Sequence, residues 1–433
     1  MFAKFISNSN DTSLLTATGA SEADFTLFGQ PARQGRWLFI PLGILVLLCL
    51  GTVYSWSIFR KPLEAELGIP TADSLLPYTF ALVFYAALMP ITGFVIPRWG
   101  SRRVLALGGS IVGLGYILAS FANTIGWVTL SYGALAGAGV GIAYGVPMVV
   151  VARWLPDRKG LAVGLTIIGF GLSPLITAPL ANYWIEALGV RSTLRLLGIL
   201  FGVVIVALST QLKLPPTDWI PVRAESIPAQ ISGHFSSHSS ALFKTRSFYG
   251  LWICYAIGTL IGLSAIGISS PVGEELIGLD PTLAASSVAL FAIFNGLSRP
   301  LFGWLADHFQ PHQVATGSYG LVILACGLMM VSPQGSLVSY WVAFSLLWFC
   351  LGGWLAMAPT LTLRLFNPAR YAQNYGVVFT AYGVGALTGT MITGQIRDWL
   401  GSYSYIFYGM AVLAILGILV ANVFLREMMV EAK

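Results

Sequence analysis

The sequence predicts an all-α polytopic membrane protein with twelve transmembrane helices arranged as two pseudo-symmetric six-helix bundles. Three observations carry this. Only 9% of the 433 residues are charged and 56% are hydrophobic, with a mean hydropathy of +0.78, whereas soluble domains carry about 25% charged residues. Twelve apolar stretches reach the roughly 20 residues needed to cross a bilayer. The second six of them repeat landmarks of the first six at a nearly constant offset.

Taken in order, residues 1–36 are polar, rich in Ser, Thr and Asn, and lack a basic run leading into an apolar one. They are expected to form a disordered tail rather than a signal peptide. Apolar spans come next near 37–59, 76–97, 103–122, 125–151, 160–184 and 192–211. After a polar linker at 212–246, six more lie near 247–270, 281–305, 314–332, 337–362, 374–396 and 403–425, with 426–433 as a second tail. This divides the chain into one six-helix bundle over 37–211 and another over 247–425. The repeat supports the division. GFVIP (93–97) matches GWLAD (303–307) at an offset of 210, and Pro147 through Gly164 matches Pro359 through Gly376 at 212. Pro62 and Glu66 match Pro271 and Glu275 at 209. Duplicated units of this kind build carriers that rock around a site at the midplane.

An even number of spans places both termini on one side. The loops of the other side hold only Arg60, Lys61, Arg191, Arg195 and Arg397; apart from Arg299, the rest of the 23 basic residues lie on the side of the termini. That asymmetry predicts cytoplasmic termini in the inner or plasma membrane. It also accounts for the net charge of +6 without nucleic acid as a partner. Cys49, Cys254, Cys326 and Cys350 fall inside apolar segments and read as small hydrophobes. His234, His238, His308 and His312 fall in loops without ligand clusters, so neither a metal nor a cofactor is expected. An enzyme would need His, Cys, Asp or Glu gathered at one place, and the sequence offers no such cluster.

One residue stands against the membrane pattern. In FAIFNGLSRPLFGWLAD (291–307), Arg299 lies eight residues before Asp307, ~12 Å inside the apolar run. A charge there costs ~2.5–3.5 kcal/mol on insertion scales. All 17 acidic residues fall in loops, tails or helix ends, so none is placed to neutralise it. A guanidinium pairs bidentately with planar carboxylates, and Arg299 is read as the cation that takes a small organic carboxylate, the alternative being an arginine paired with backbone carbonyls or with an acid of a neighbouring helix. Asn295 lies one turn earlier on the same face and is suited to orient the arginine or the ligand, or to satisfy local backbone.

The loop GFVIPRWGSRR (93–103) resembles the Gly-x-x-x-Asp-Arg-x-Gly-Arg-Arg signature of the major facilitator superfamily, with Pro97 in place of the acid. The resemblance implies the major facilitator fold and a gate latch made by Gly93, Arg98, Arg102 and Arg103. Its second-half counterpart is Gly303 with Asp307. GTVYSWSIFRKPLEAELG (51–68), together with FNGLSRPLFGWLAD, resembles the oxalate/formate antiporter family, a branch close to the monocarboxylate transporters. In that family the arginine of helix 8 binds the carboxylate, which implies the same role for Arg299. Oxalate carriers of the family add a lysine in helix 11, where this chain has Tyr382. With one cation, a monocarboxylate such as formate, glycolate, lactate or pyruvate is expected in preference to oxalate, because a second buried carboxylate would go unpaired at several kcal/mol. Helix 5, GLTIIGFGLSPLITAPL, lacks the regular glycine pattern of drug antiporters.

The expected cavity wall comprises Tyr54, Trp56, Tyr144, Phe170, Trp354, Phe379 and Tyr382. The tyrosines carry most weight because each lies well inside its span and brings a hydroxyl that needs a partner. Gly133, Gly137, Gly141 and Gly145 recur every four residues in helix 4, and Gly383, Gly385 and Gly389 cluster in helix 11. Such spacing lets helix backbones approach closely. The functional expectation is a monomeric secondary carrier in the lipid bilayer that moves a small organic anion by alternating access, through anion exchange or through symport in which the substrate's own protonation takes part. The alternatives are an oxalate or dicarboxylate antiporter, a proton-coupled symporter and a non-transporting carboxylate sensor.

Overall fold

The structure is a computed structural model and describes residues 26–155, 159–216, 239–331, 336–366 and 371–426. The expectations for residues 1–25, 217–238 and 427–433, with His234 and His238, and for Arg158 and Arg370, fall outside these. Among the described residues twelve helices are long and apolar enough to cross a membrane. The first bundle comprises α1 (Ala32–Leu67), α2 (Ala72–Trp99), α3 (Ser101–Ala119), α4 (Ile125–Trp154), α5 (Ala162–Leu188) and α6 (Val190–Ser209). The second comprises α7 (Arg246–Ile277), α8 (Pro281–His308), α9 (Pro311–Val331), α10 (Leu337–Leu365), α11 (Gln373–Leu400) and α12 (Ser404–Phe424). The bundles meet mainly along α5 with α8 and along α2 with α11. His308 and His312 sit at the ends of α8 and α9 rather than in a loop.

The duplication is visible in the backbone. Gly68 and Gly278 end α1 and α7 with left-handed conformations, φ +63° and +81°, the geometry that lets a chain leave a helix without a Cβ clash. Residues 91–100 and 301–310, in matching positions of α2 and α8, alternate buried and exposed in the same order throughout.

Two sequence expectations change. Residues 26–36, read as part of a disordered tail, are ordered. Strands β1 (Thr26–Leu27) and β2 (Gln30–Pro31) form a hairpin. Its turn holds Phe28 against Phe39, which stacks on Trp154 of α4, with centroids 5.3 and 5.2 Å apart. The second change is that α1 runs past its apolar window to Leu67, so Arg60 and Lys61 lie within a helix, not in a loop. Midway, α1 tightens into a 3-10 turn over Gly51–Ser55.

The α4 glycines lie on α2. A Cβ at Gly137 would stand 2.6 Å from the Ala81 carbonyl oxygen, and one at Gly141 would stand 2.6 Å from that of Tyr85. Gly133 meets Pro77 and Phe80, and Gly145 meets Thr92. Both helices belong to the first bundle, so this close approach lies within one bundle and not between the two. Gly385 and Gly389 likewise set α11 on α7, whereas Gly383 faces Ala86 of the other bundle. The four cysteines are buried and unpaired with one another.

Candidate functional site

Arg299 stands where α8 meets α5 and is 1% exposed. Its Nη1 donates to the carbonyl of Ile167 on α5 at 2.8 Å, and its Nη2 donates to Asn295 Oδ1 at 3.0 Å. Asn295 in turn donates through Nδ2 to the Trp348 carbonyl at 2.8 Å, so the amide orients the guanidinium while anchored to α10. The third guanidinium nitrogen, Nε, has no hydrogen-bond partner. Gly171 allows this approach: a Cβ there would lie 2.9 Å from Nε and 2.7 Å from Asn295 Oδ1. No acid pairs with Arg299 among the described residues.

Around the arginine the expected tyrosines and phenylalanines converge. The guanidinium lies 5.9 Å from the Phe170 ring. Phe170 packs edge-on against Tyr54 at 5.0 Å and Tyr144 at 5.2 Å. Phe379 stacks on Tyr382 at 4.9 Å, and the Tyr382 and Tyr54 hydroxyls share a hydrogen bond of 3.1 Å across the bundles. The 3-10 turn of α1 makes room for this. Gly51 abuts the Phe170 carbonyl, with no space between them for a Cβ. Pro174, four residues on in the helix, has no N–H to offer that carbonyl.

The hub of the cluster is a residue that the sequence does not single out. Tyr85 of α2 touches Tyr144, Phe170, Phe379 and Tyr382, with centroids 5.1–5.9 Å apart. It meets the criterion applied to Tyr54 and Tyr144, a tyrosine deep in its span, and could have been found by it. Trp348 and Tyr255 were also missed. Among the described residues Trp354 reaches the cluster through Tyr255, whose ring stands 6.4 Å from it and 6.3 Å from Phe379. Trp56 is not in the cluster. It stacks on Tyr132 at 4.3 Å and donates to the Ser74 carbonyl, within the first bundle and nearer the face opposite the termini.

Among the described residues the expected latch makes no charged contact. Arg98, Arg102, Arg103 and Asp307 are exposed and make no ion pair among the described residues, while Gly93 and Gly303 are half-buried beside them. The polar ties between bundles lie instead at the midplane and on the far face, opposite the termini. Arg60 of α1 is fully buried. Its Nε donates to Ser74 Oγ at 3.0 Å and its Nη1 to the Gly267 carbonyl of α7 at 3.0 Å. Its Nη2 lies 3.4 Å from Glu64 and 3.5 Å from the Tyr403 hydroxyl. Burial pushes the Tyr403 phenol above its ordinary range, and the charge of Arg60 opposes that. Lys61 pairs with Glu274 of α7 at 2.8 Å, and Thr79 bonds Thr390 across the bundles.

Comparison with known proteins agrees with this architecture. The chain is 27% identical over 368 residues to the oxalate:formate antiporter of Oxalobacter formigenes, covering 84% of this chain and 86% of that one. It is 28% identical over 373 residues to monocarboxylate transporter 11 of Mus musculus, covering 83% and 80%. In fold it matches an inward-facing, unoccupied bacterial homologue of the human lysosomal transporter Spinster, with a TM-score of 0.68 at 15% identity over 92% of this chain and 98% of that one. The signature of the Major Facilitator Superfamily matches residues 42–390 and 278–432. Duplicated bundles, twelve spans and this match together establish that the chain is a multi-pass membrane protein belonging to the Major Facilitator Superfamily of transporters.

Proposed function

We propose that the protein is a secondary active carrier that moves a small monocarboxylate, such as formate, glycolate, lactate or pyruvate, across the cell membrane by alternating access. Arg299 takes the carboxylate. The observation that carries this reading is an arginine sealed from solvent at the bundle interface, with no acid beside it among the described residues and its Nε unpaired. A carboxylate supplies the missing negative charge and accepts from two guanidinium nitrogens at once. It would compete with the Ile167 carbonyl for Arg299, and so exchange a protein contact between the bundles for a ligand contact. That competition gives the ligand a different affinity for open and closed states, as any ligand-driven transition requires. Tyr54, Tyr144, Phe170, Phe379 and Tyr382, with Tyr85 added, wall the site. The bundles 37–211 and 247–425 are the rocking units, acting as a monomer with both termini cytoplasmic.

The similarity to an oxalate:formate antiporter favours a second reading, exchange of a dicarboxylate. Against it stands Tyr382: its hydroxyl is engaged with Tyr54, and no second cation is near enough to Arg299 to pair a second carboxylate among the described residues. A thermal-shift series on the purified protein decides between the two, since a ligand of the native state raises apparent stability. Formate, acetate, glycolate, lactate and pyruvate should each stabilise the protein more than oxalate. Stabilisation by oxalate alone would refute the monocarboxylate reading. Counterflow in proteoliposomes preloaded with a second carboxylate tests exchange, which should persist without a pH gradient.

A further inference from the structure

Tyr255 belongs to the same site but to none of its paired groups. It lies on α7, fully buried, with its ring between Trp354 and Phe379. Its hydroxyl has no hydrogen-bond partner of normal geometry, although Tyr375 adjoins it from α11. It lies close enough to Arg299, Tyr54 and Tyr144 for electrostatic coupling to each. The contrast with its neighbours is informative. The Tyr54 and Tyr382 hydroxyls satisfy each other, and two guanidinium nitrogens of Arg299 are engaged by Ile167 and Asn295. Arg299 Nε, Tyr255 Oη and Trp354 Nε1 are left over, all in the second bundle and all buried.

Buried donors are almost always paired in native proteins, and an unpaired one calls for a specific explanation. Gly258 adds to the case. A Cβ there would collide with the Trp354 indole, so the tryptophan is packed flat against α7 and fixes the adjacent tyrosine ring. Tyr255 is therefore a preset donor near a cation that is itself short of a partner. A bare carboxylate uses the cation only. A carboxylate bearing an oxygen on the next carbon presents a second acceptor, three bonds away from the carboxylate oxygen.

Resting on the reading of Arg299 as the carboxylate site, we infer that Tyr255 selects 2-oxygenated monocarboxylates, donating its hydroxyl hydrogen to the 2-hydroxy or 2-oxo oxygen of the substrate. Trp354 positions the Tyr255 ring. A site built to hydrogen-bond a substrate oxygen discriminates strongly against the analogue lacking it, because the protein donor is then left buried and unpaired.

Glycolate and acetate differ by that one oxygen and are the probes. The wild-type protein, purified in detergent, should bind glycolate roughly 10-fold or more tighter than acetate, read by thermal shift over a concentration series. Tyr255→Phe removes a single oxygen from a packed ring and should keep its melting temperature without ligand. It should bind acetate as the wild type does and lose the preference for glycolate. A glycolate preference that survives in Tyr255→Phe overturns the inference, as does a wild type that shows none. Arg299→Gln separates the two levels. If it binds both acids at wild-type strength, the carboxylate site itself is wrong and the inference falls with it. If it loses both while Tyr255→Phe loses only the preference, both stand.

Discussion

Arg60 and Arg299 are both arginines removed from solvent, and they are held in opposite ways. Arg60 has an acid one turn away on its own helix, a serine hydroxyl beside it and a backbone carbonyl from the other bundle. Its charge is balanced within the protein, and what it does is join α1 to α7 on the far face. Among the described residues Arg299 has an amide and a carbonyl but no acid, and its Nε is without a partner. On the proposed reading, the two buried cations separate into a structural tie and a binding group by a single criterion, whether the counter-charge is part of the chain. The effective cost of burying an ion is several kcal/mol; Arg60 recovers it continuously, whereas under the proposed function Arg299 would recover it fully only when an anion arrives.

The comparison can be broken at either arginine. Arg299→Gln should reduce carboxylate binding roughly 30-fold or more, the equivalent of losing about 2–5 kcal/mol from a buried charged contact. Its melting temperature should hold or rise, since an uncompensated buried charge has been removed. Uptake at the wild-type rate would end the case for Arg299. Tyr382→Lys sharpens the comparison by adding a second cation. Oxalate should gain about 10-fold relative to formate, as close ion pairs at interfaces couple by at least about 1.5 kcal/mol. An unchanged ratio would mean that charge count does not set selectivity. Arg60→Gln should have the smallest effect on binding and the opposite effect on stability. It leaves Glu64 and the Gly267 carbonyl short of a donor, at about 1–3 kcal/mol, and loosens the far face. A cysteine at Thr390, buried between the bundles, should then label faster with an impermeant maleimide. Equal labelling rates in both backgrounds would remove Arg60 from the closure.

Much of the architecture is legible in the sequence because the bilayer writes it in composition. The twelve spans, the duplication and Arg299 all come from where charge is tolerated and where it is not. Arg60 is misplaced for the same reason. The segment RKPLEAEL is too polar to register as a span, yet it stays helical because α2 and α7 supply its polar partners, which hydropathy does not see. Trp56 falls on a different wall from the expected one through local geometry. A 3-10 turn advances about 120° per residue against 100° in an α-helix, so the five residues Gly51–Ser55 rotate the rest of α1 by about 100°. Tyr85 and Tyr255 escape notice because aromatic residues are common in membrane helices, and only tertiary packing shows which of them share a centre.

The bond from Arg60 to α7 has a silent contributor. In a helix the Gly267 carbonyl would accept from the N–H of residue 271, but position 271 is Pro271 and has none. The far-face closure therefore depends on a residue that makes no hydrogen bond in it. Pro271→Ala would restore the helix's own donor, set it in competition with Arg60, and shift the carrier towards opening while every charged group stayed in place. Variation of this kind is invisible to any search for altered gate residues, and it offers a lineage of such carriers a way to retune how long the far face stays shut without changing what the site recognises.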